Sequence, residues 1–338
     1  MDLNNYKIIP KPETIRLLDI SDEEYFGKNY RKYISNSKLS LINPHQDGSA
    51  EKFFRGFESL FSDSLYFGSA VHEMTLQPEE FYVQICNRPT AKAGFMLDEI
   101  IYNRTKGQSI YDSIINASNK VDYYKGKMDS KKIRTIIQKG LKYYLERLHY
   151  TKGDKIPIWL NTKDNIKLNE CLGSMSRNEN ITRLLNPDVF DQSSLLNLNE
   201  GTLVMDVDVV DLETSQVLTL PLKAKLDNFT YDSDFQILTL NDLKTTGKYT
   251  TEFSKSFEKY HYHRQMAMYI WMLKMYIQKE YNVSNPALRA NMLVVSTVPN
   301  YSSLAISVNT TQIQQGFQEF AALVKLVAHY IMHEGYEL

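Results

Sequence analysis

From Gly201 onward the chain breaks into short runs of β-type residues, Leu203-Val204-Met205, Val207, Val209-Val210 and Val217-Leu218-Thr219-Leu220, separated by the polar stretch Asp211 to Ser215. Runs this short and this rich in valine and leucine suit strands with buried faces, so a sheet is expected to begin here. Leu226 to Phe229 and Phe235 to Leu243 continue it, and Tyr231-Asp232-Ser233-Asp234 between them has turn chemistry. Ala290 to Thr297 and Ser303 to Val308 read as two further strands.

These strands carry charge. On a strand, side chains two apart share a face, so Asp242 and Lys244 point the same way. A hairpin turning near Asp234 and Phe235 sets Asp227 directly opposite Asp242, with Cα atoms roughly 4.5 to 5.5 Å apart. One hard cation could then touch both carboxylates. A few oxygen ligands with room left for water and phosphate suit Mg²⁺ or Mn²⁺ rather than Zn²⁺. Such an ion polarises a phosphoryl oxygen and acidifies a bound water, while Lys244 orients that water or offsets charge in the transition state. An acid-x-Lys triplet alone says little, and Asp129-Ser130-Lys131 is another. What sets Asp242 apart is its place at the end of an apolar strand, following a strand that carries Asp227. A buried carboxylate needs compensation, and a metal or Lys244 supplies it.

The rest of the chain is read as helices around this sheet. Residues 1 to 30 are polar and mixed, without a sustained period, and read as an N-terminal arm. Ser35, Asn36 and Ser37 can cap a short helix that Pro44 ends. Phe67, Ala70, Val71 and Met74 follow helical spacing up to Pro78, which places His72 on a helix. Residues 90 to 190 are mostly helical in pattern, and Thr311 to His333 form a closing helix. From Tyr262 to Lys279 the apolar residues run nearly all round the helical wheel, so Gln265 is a polar exception that requires a partner, with Tyr269 one turn on. His261 and His263 have no carboxylate at a ligand spacing and read as structural.

Composition sets outer bounds. The 338 residues include 39 basic and 40 acidic side chains, so a polyanion must be met by a local basic surface and not by the field of the whole molecule. Cys86 and Cys171 form neither a CxxC pair nor a disulfide framework, which fits structural thiols in a reducing compartment. The opening residues lack the regions of a signal peptide, and the run Met266 to Leu273 is far too short to span a bilayer. A cytoplasmic protein with no membrane partner is expected.

Five segments in order resemble the motifs of the PD-(D/E)XK nuclease superfamily, within it the RecB-like enzymes and most closely the exonuclease VIII type of phages and prophages. They are Ile34 to Ser37, Leu65 to His72, Lys223 to Asp227, Asp242 to Thr246, and Tyr262 to Tyr269. The resemblance implies an α/β fold with a restriction-endonuclease-like core, a mixed β-sheet flanked by helices, and an added helical region. Residues 31 to 338 would form one nuclease domain. It further implies that His72, Asp227, Asp242 and the backbone carbonyl of Leu243 hold Mg²⁺ or Mn²⁺, that Lys244 is the catalytic lysine, and that Gln265 and Tyr269 are the supporting QxxxY pair.

DNA contacts are expected from Ser37, Lys223, Lys225, Thr245 and Thr246, with Lys125, Lys127, Lys131 and Lys132 as a further basic stretch. The implied activity is metal-dependent DNA exonuclease action in phage or bacterial recombination, repair or replication, in a bacterial host cell if phage-encoded. A single-strand annealing or recombination protein is the implied partner, and a homo-oligomer the implied assembly. The alternatives are a structure-specific endonuclease and a silent nuclease-fold module that binds DNA or protein. The chain departs from the pattern in having Lys225 where relatives often carry Arg or Gly, a longer hairpin between the aspartates, and no glutamate near Val294 to Thr297. Two cysteines cannot build the four-cysteine iron–sulfur cluster of some relatives, so none is expected.

Overall fold

The computed structural model describes residues 2–56, 62–121, 130–150, 153–187 and 192–338, apart from the side chains of 130–133 and 136. Lys125 and Lys127, and the side chains of Lys131 and Lys132, lie outside the described residues. The described strands are β1 (Tyr6–Leu18), β2 (Phe81–Ile85), β3 (Ile156–Leu160), β4 (Leu195–Asp211), β5 (Val217–Asp232), β6 (Ile237–Thr246), β7 (Ala287–Ser296) and β8 (Ser303–Ser307). The chain divides into two compact units, 1–57 with 175–338, and 58–174.

The first unit is built on a six-stranded sheet in the order β1-β4-β5-β6-β7-β8. All neighbouring pairs are antiparallel except β6 and β7, so the sheet is mixed. A parallel pair needs a long crossover, and the helix Tyr262–Tyr281 lies within it. Its Met266, Ile270, Leu273 and Ile277 share one buried core with Leu222, Leu226, Leu240 and Val294 of the sheet and Phe320, Val324 and Val327 of the helix Thr310–Glu334. The two helices approach closely at Gly316, where a Cβ would come within 2.1 Å of the His263 carbonyl oxygen. Any side chain there would force them apart.

The β5–β6 hairpin closes through an Asx turn, in which Asp232 Oδ1 accepts the backbone N–H groups of Asp234 and Phe235 at 3.0 and 3.1 Å. This pins the register to Asp232↔Ile237 and so to every pair that follows.

Two expectations change. Residues 1 to 30 are not an arm, because Tyr6–Leu18 pairs with β4 as an edge strand of the sheet. Pro10 and Pro12 hide it in the sequence; proline removes a ladder donor but is tolerated on an edge. The register shifts between Lys11 and Arg16, and there Thr14 Oγ1 donates to the Lys11 carbonyl and accepts the Asp206 N–H at 2.9 Å. Nor do residues 31 to 338 form one compact body: 58–174 has its own core of Met96, Leu97, Ile100, Ile114, Tyr143 and Trp159. Within it β2 and β3 pair in parallel, and β3 falls in the stretch 90 to 190 read mostly as helix. Arg88 is buried there between the rings of Tyr66 and Phe95 and paired with Asp98 at 2.9 Å. Among the described residues no helix is long and apolar enough to cross a membrane.

Candidate active site

Asp227 and Asp242 meet where the β5–β6 ladder ends. The last paired residues are Asn228 and Asn241, and one more step in the same register brings Asp227 opposite Asp242. Beyond that point β6 stays with β7 as far as Thr246↔Ser296 while β5 stays with β4, so the two strands part. Asp227 Oδ2 occupies the opening by accepting the Leu243 N–H at 2.6 Å. The carboxylate takes the place of a strand neighbour.

Asp242 is 1% exposed, and its two oxygens meet different partners. Gln265 Nε2 donates to Oδ1 at 2.7 Å, and Lys244 Nζ lies 2.5 Å from Oδ2. The Lys244 ammonium also donates to the Leu243 carbonyl at 3.3 Å. Burial alone would lower the lysine's pKa, but the charges of Asp242 and then Asp227 outweigh it and hold the pKa above the ordinary lysine range. Lys244 is therefore a fixed positive charge held on Asp242, suited to stabilising charge and orienting water. Tyr269, 7% exposed, bonds to Gln265, and burial pushes its phenol well above its usual pKa, so it stays neutral. Tyr269, Gln265 and Asp242 thus form a relay that fixes the carboxylate from the helix side.

Glu200 escapes sequence reading. On β4 it falls between the pairs Asn199↔Asn228 and Gly201↔Leu226, in line with Asp227 across the strands. Carboxylate oxygens of Glu200 and Asp227 come within 4.8 Å of each other. Its backbone is left-handed, with φ of 55°. The polar run Asn197 to Gly201 resembles a loop, which conceals both the strand and this third acid. Lys225 Nζ pairs with Glu200 at 2.8 Å and also with Asp22. Glu200, Asp227 and Asp242 thus lie on neighbouring strands with the ammonium groups of Lys225 and Lys244 among them.

The residues expected to meet DNA differ in their surroundings. Lys223 does not face outward: it is 6% exposed, donates to the Tyr25 carbonyl at 2.7 Å and lies 4.0 Å from the Tyr25 ring centroid. Burial, followed by repulsion from Lys38, lowers its pKa to about 8. The charge of Lys225 is likewise engaged with Asp22 and Glu200, so neither lysine is poised for a phosphate. Thr246 is buried, with its hydroxyl accepting the Lys248 N–H, Thr245 is half-buried, and Ser37 is exposed. His72 stands half-buried on the helix Asp63–Leu76 of the second unit.

A second polar cluster braces the helix that carries Gln265. Glu319 Oε1 accepts from Arg264 Nη1 at 2.8 Å and Asn43 Nδ2 at 2.7 Å, while Oε2 contacts His261 Nδ1 and His263 Nε2, each at 2.9 Å. Arg264, fully buried, also reaches Asn36, Ser40 and Gln46. Burial would raise the Glu319 pKa, yet the bonds from His263 and His261 and the Arg264 charge bring it down to about 2. The two histidines are structural in this arrangement, since the carboxylate they meet is already satisfied and neutralised.

Residues 180–335 match the family described as "PDDEXK-like domain of unknown function (DUF3799)". These residues form a PDDEXK-like domain. The PDDEXK-like domain takes in β4 to β8, both long helices of the first unit, and every site residue named above on the sheet and on the Tyr262–Tyr281 helix. The edge strand β1 and the unit 58–174 lie outside the match. The fold is similar to that of a solved protein described as "Putative exonuclease" from Eubacterium rectale, at 11% identity over 92% of this chain and 86% of that one, with a TM-score of 0.46. No curated protein matches the chain.

Proposed function

We propose that this chain is a metal-dependent deoxyribonuclease that hydrolyses phosphodiesters from a DNA end. The observation that carries this reading is the Lys244 ammonium held on Asp242 beside Asp227, at the point where two strands of a PDDEXK-like sheet part. A chain that needed these residues only for packing would gain nothing by gathering carboxylates at the end of a ladder, where each costs desolvation.

The donors fit a hard divalent cation. Asp227, Asp242 and the Leu243 carbonyl are all oxygen ligands, Glu200 adds a fourth within reach of Asp227, and Mg²⁺ or Mn²⁺ suits such a set. When bound, the ion polarises the phosphoryl group and lowers the pKa of a water. Lys244 holds its proton, orients the attacking water and offsets negative charge growing on the phosphate oxygens. Gln265, fixed by Tyr269, keeps Asp242 turned toward the centre. One P–O bond forms to the water oxygen and one P–O ester bond breaks. The ligand role of His72 and a setting in phage or bacterial recombination rest on the motif resemblance.

The test is incubation of end-labelled linear DNA and closed circular DNA with Mg²⁺, Mn²⁺ or chelator. Metal-dependent loss of linear DNA with circles intact supports an exonuclease. Cutting of circles makes the same centre an endonuclease, and retention without cutting under either metal refutes hydrolysis.

A further inference from the structure

Tyr262 joins the centre to a half-exposed aromatic. Its ring centroid lies 5.5 Å from Lys244 Nζ and 5.7 Å from the Tyr260 ring centroid. Phe253 stacks on Tyr262 at 5.8 Å with an interplanar angle of 12°, and Phe257 meets it edge-on at 6.3 Å. Phe253 and Phe257 are buried, whereas Tyr260 is 49% exposed. One member of an otherwise packed aromatic cluster thus turns toward solvent beside the reacting centre.

The position of Tyr260 is fixed by its backbone. It closes the helix Phe253–Lys259 with its N–H on the Ser256 carbonyl at 3.0 Å, and the next residue, His261, is left-handed and anchored on Glu319. Lys259 Nζ lies over the Tyr260 ring, 5.3 Å from its centroid, so a cation accompanies the half-exposed aromatic. Laid end to end, the two contacts through Tyr262 put the Tyr260 ring within about 11 Å of the Lys244 ammonium, about three base steps at ~3.4 Å each. An aromatic face with a neighbouring ammonium, a few bases from a phosphate-cleaving centre, is the chemistry that receives an unpaired base and its phosphate.

We propose that Tyr260 is a stacking platform for an unpaired base of the DNA strand held in the active site, with Lys259 meeting the adjoining phosphate. This rests on the nuclease reading and extends it to a preference for a single-stranded end. Stacking tolerates any base, so no sequence preference follows.

The test uses the full chain with Ca²⁺ in place of the catalytic metal and a single-stranded oligonucleotide carrying 2-aminopurine near its end, whose fluorescence falls when the base stacks. Wild type and Tyr260→Phe are expected to quench on binding. Tyr260→Ala is expected to lose the quench and to bind about tenfold more weakly by anisotropy. Blunt duplex, whose bases are paired, is expected to change less than twofold. With Mg²⁺, Tyr260→Ala should raise KM for single-stranded DNA with kcat within twofold. Wild-type quenching by Tyr260→Ala, or an equal loss on duplex, overturns the stacking role while leaving hydrolysis standing. A wild type that binds DNA but cleaves none overturns the nuclease reading instead.

Discussion

Gln265 places its side-chain amide 2.7 Å from Asp242 Oδ1 while Lys244 holds Oδ2, so a helix and a strand grip one buried carboxylate from two sides. Replacing Gln265 with Ala strands a buried acceptor, which costs about 1–3 kcal/mol. Cleavage should fall by at least tenfold while the chain stays folded, and Gln265→Glu should be worse than Ala because it sets a like charge against Asp242. Urea unfolding and single-turnover cleavage, measured together, check both. Full activity in Gln265→Glu would mean that the helix does not position the carboxylate.

Glu319 gives the first unit a defined acid sensitivity. Its carboxyl has a pKa of about 2 in the fold against about 4.3 in an unfolded chain. A depressed folded value contributes stability that is complete above the unfolded pKa and disappears as pH falls toward the folded one. Stability measured by urea titration should therefore decline between roughly pH 4.5 and pH 2, and Glu319→Gln should flatten part of that decline while lowering stability at pH 7.

Lys223 shares the direction of the slope, but its charged form opposes folding at neutral pH where that of Glu319 favours it. Its folded pKa of about 8 lies below the unfolded value near 10.4, so its charge opposes folding below pH 8, and stability rises as pH increases from 8 toward 10.4. Lys223→Met should leave stability at pH 7 unchanged or raised, since a buried charge is replaced by a flexible apolar chain. Its DNA affinity should match wild type, and the salt dependence of binding should keep the same slope, because this ammonium is not at a phosphate.

Behind the acidic row runs a buried amide ladder. Asn291 donates to Asn241 at 3.0 Å, Asn241 to Asn228 at 2.7 Å, and Asn228 to Asn197 and Asn199 at 2.9 and 2.7 Å. Asn228 and Asn241 directly adjoin Asp227 and Asp242 in sequence and so project to the opposite face of the sheet. Asn241→Leu orphans amides on both sides and should destabilise by about 2–4 kcal/mol, read from the shift of the urea midpoint at constant slope.

Local chemistry made the hairpin legible: Asp232 to Asp234 announce a turn, and counting outward from it aligns Asp227 with Asp242. The same counting works for Gln265 and Tyr269, because one helical turn separates them. Contacts between distant segments leave no such trace. Glu319, Arg264, His261 and Asn43 gain their relationship only when two helices and a turn converge, and none stands at a telling interval from another. Burial is equally silent in a charge pattern: Lys223 and Lys225 read as phosphate contacts in the sequence, whereas in the fold Tyr25, Asp22 and Glu200 engage them. The strand β1 was hidden by two prolines that an edge position tolerates, and Glu200 by neighbours that resemble a loop.

The central claim is that Asp227, Asp242 and Lys244 form a metal-dependent hydrolytic centre. The most direct measurement is single-turnover cleavage of end-labelled linear DNA by wild type, Asp242→Asn and Lys244→Ala, with Mg²⁺ or Mn²⁺ titrated from zero and folding monitored by circular dichroism. Wild type should cleave only with metal, and both variants should lose at least a hundredfold in rate while keeping the wild-type spectrum. Cleavage by either folded variant at the wild-type rate, or by wild type in chelator, would contradict it.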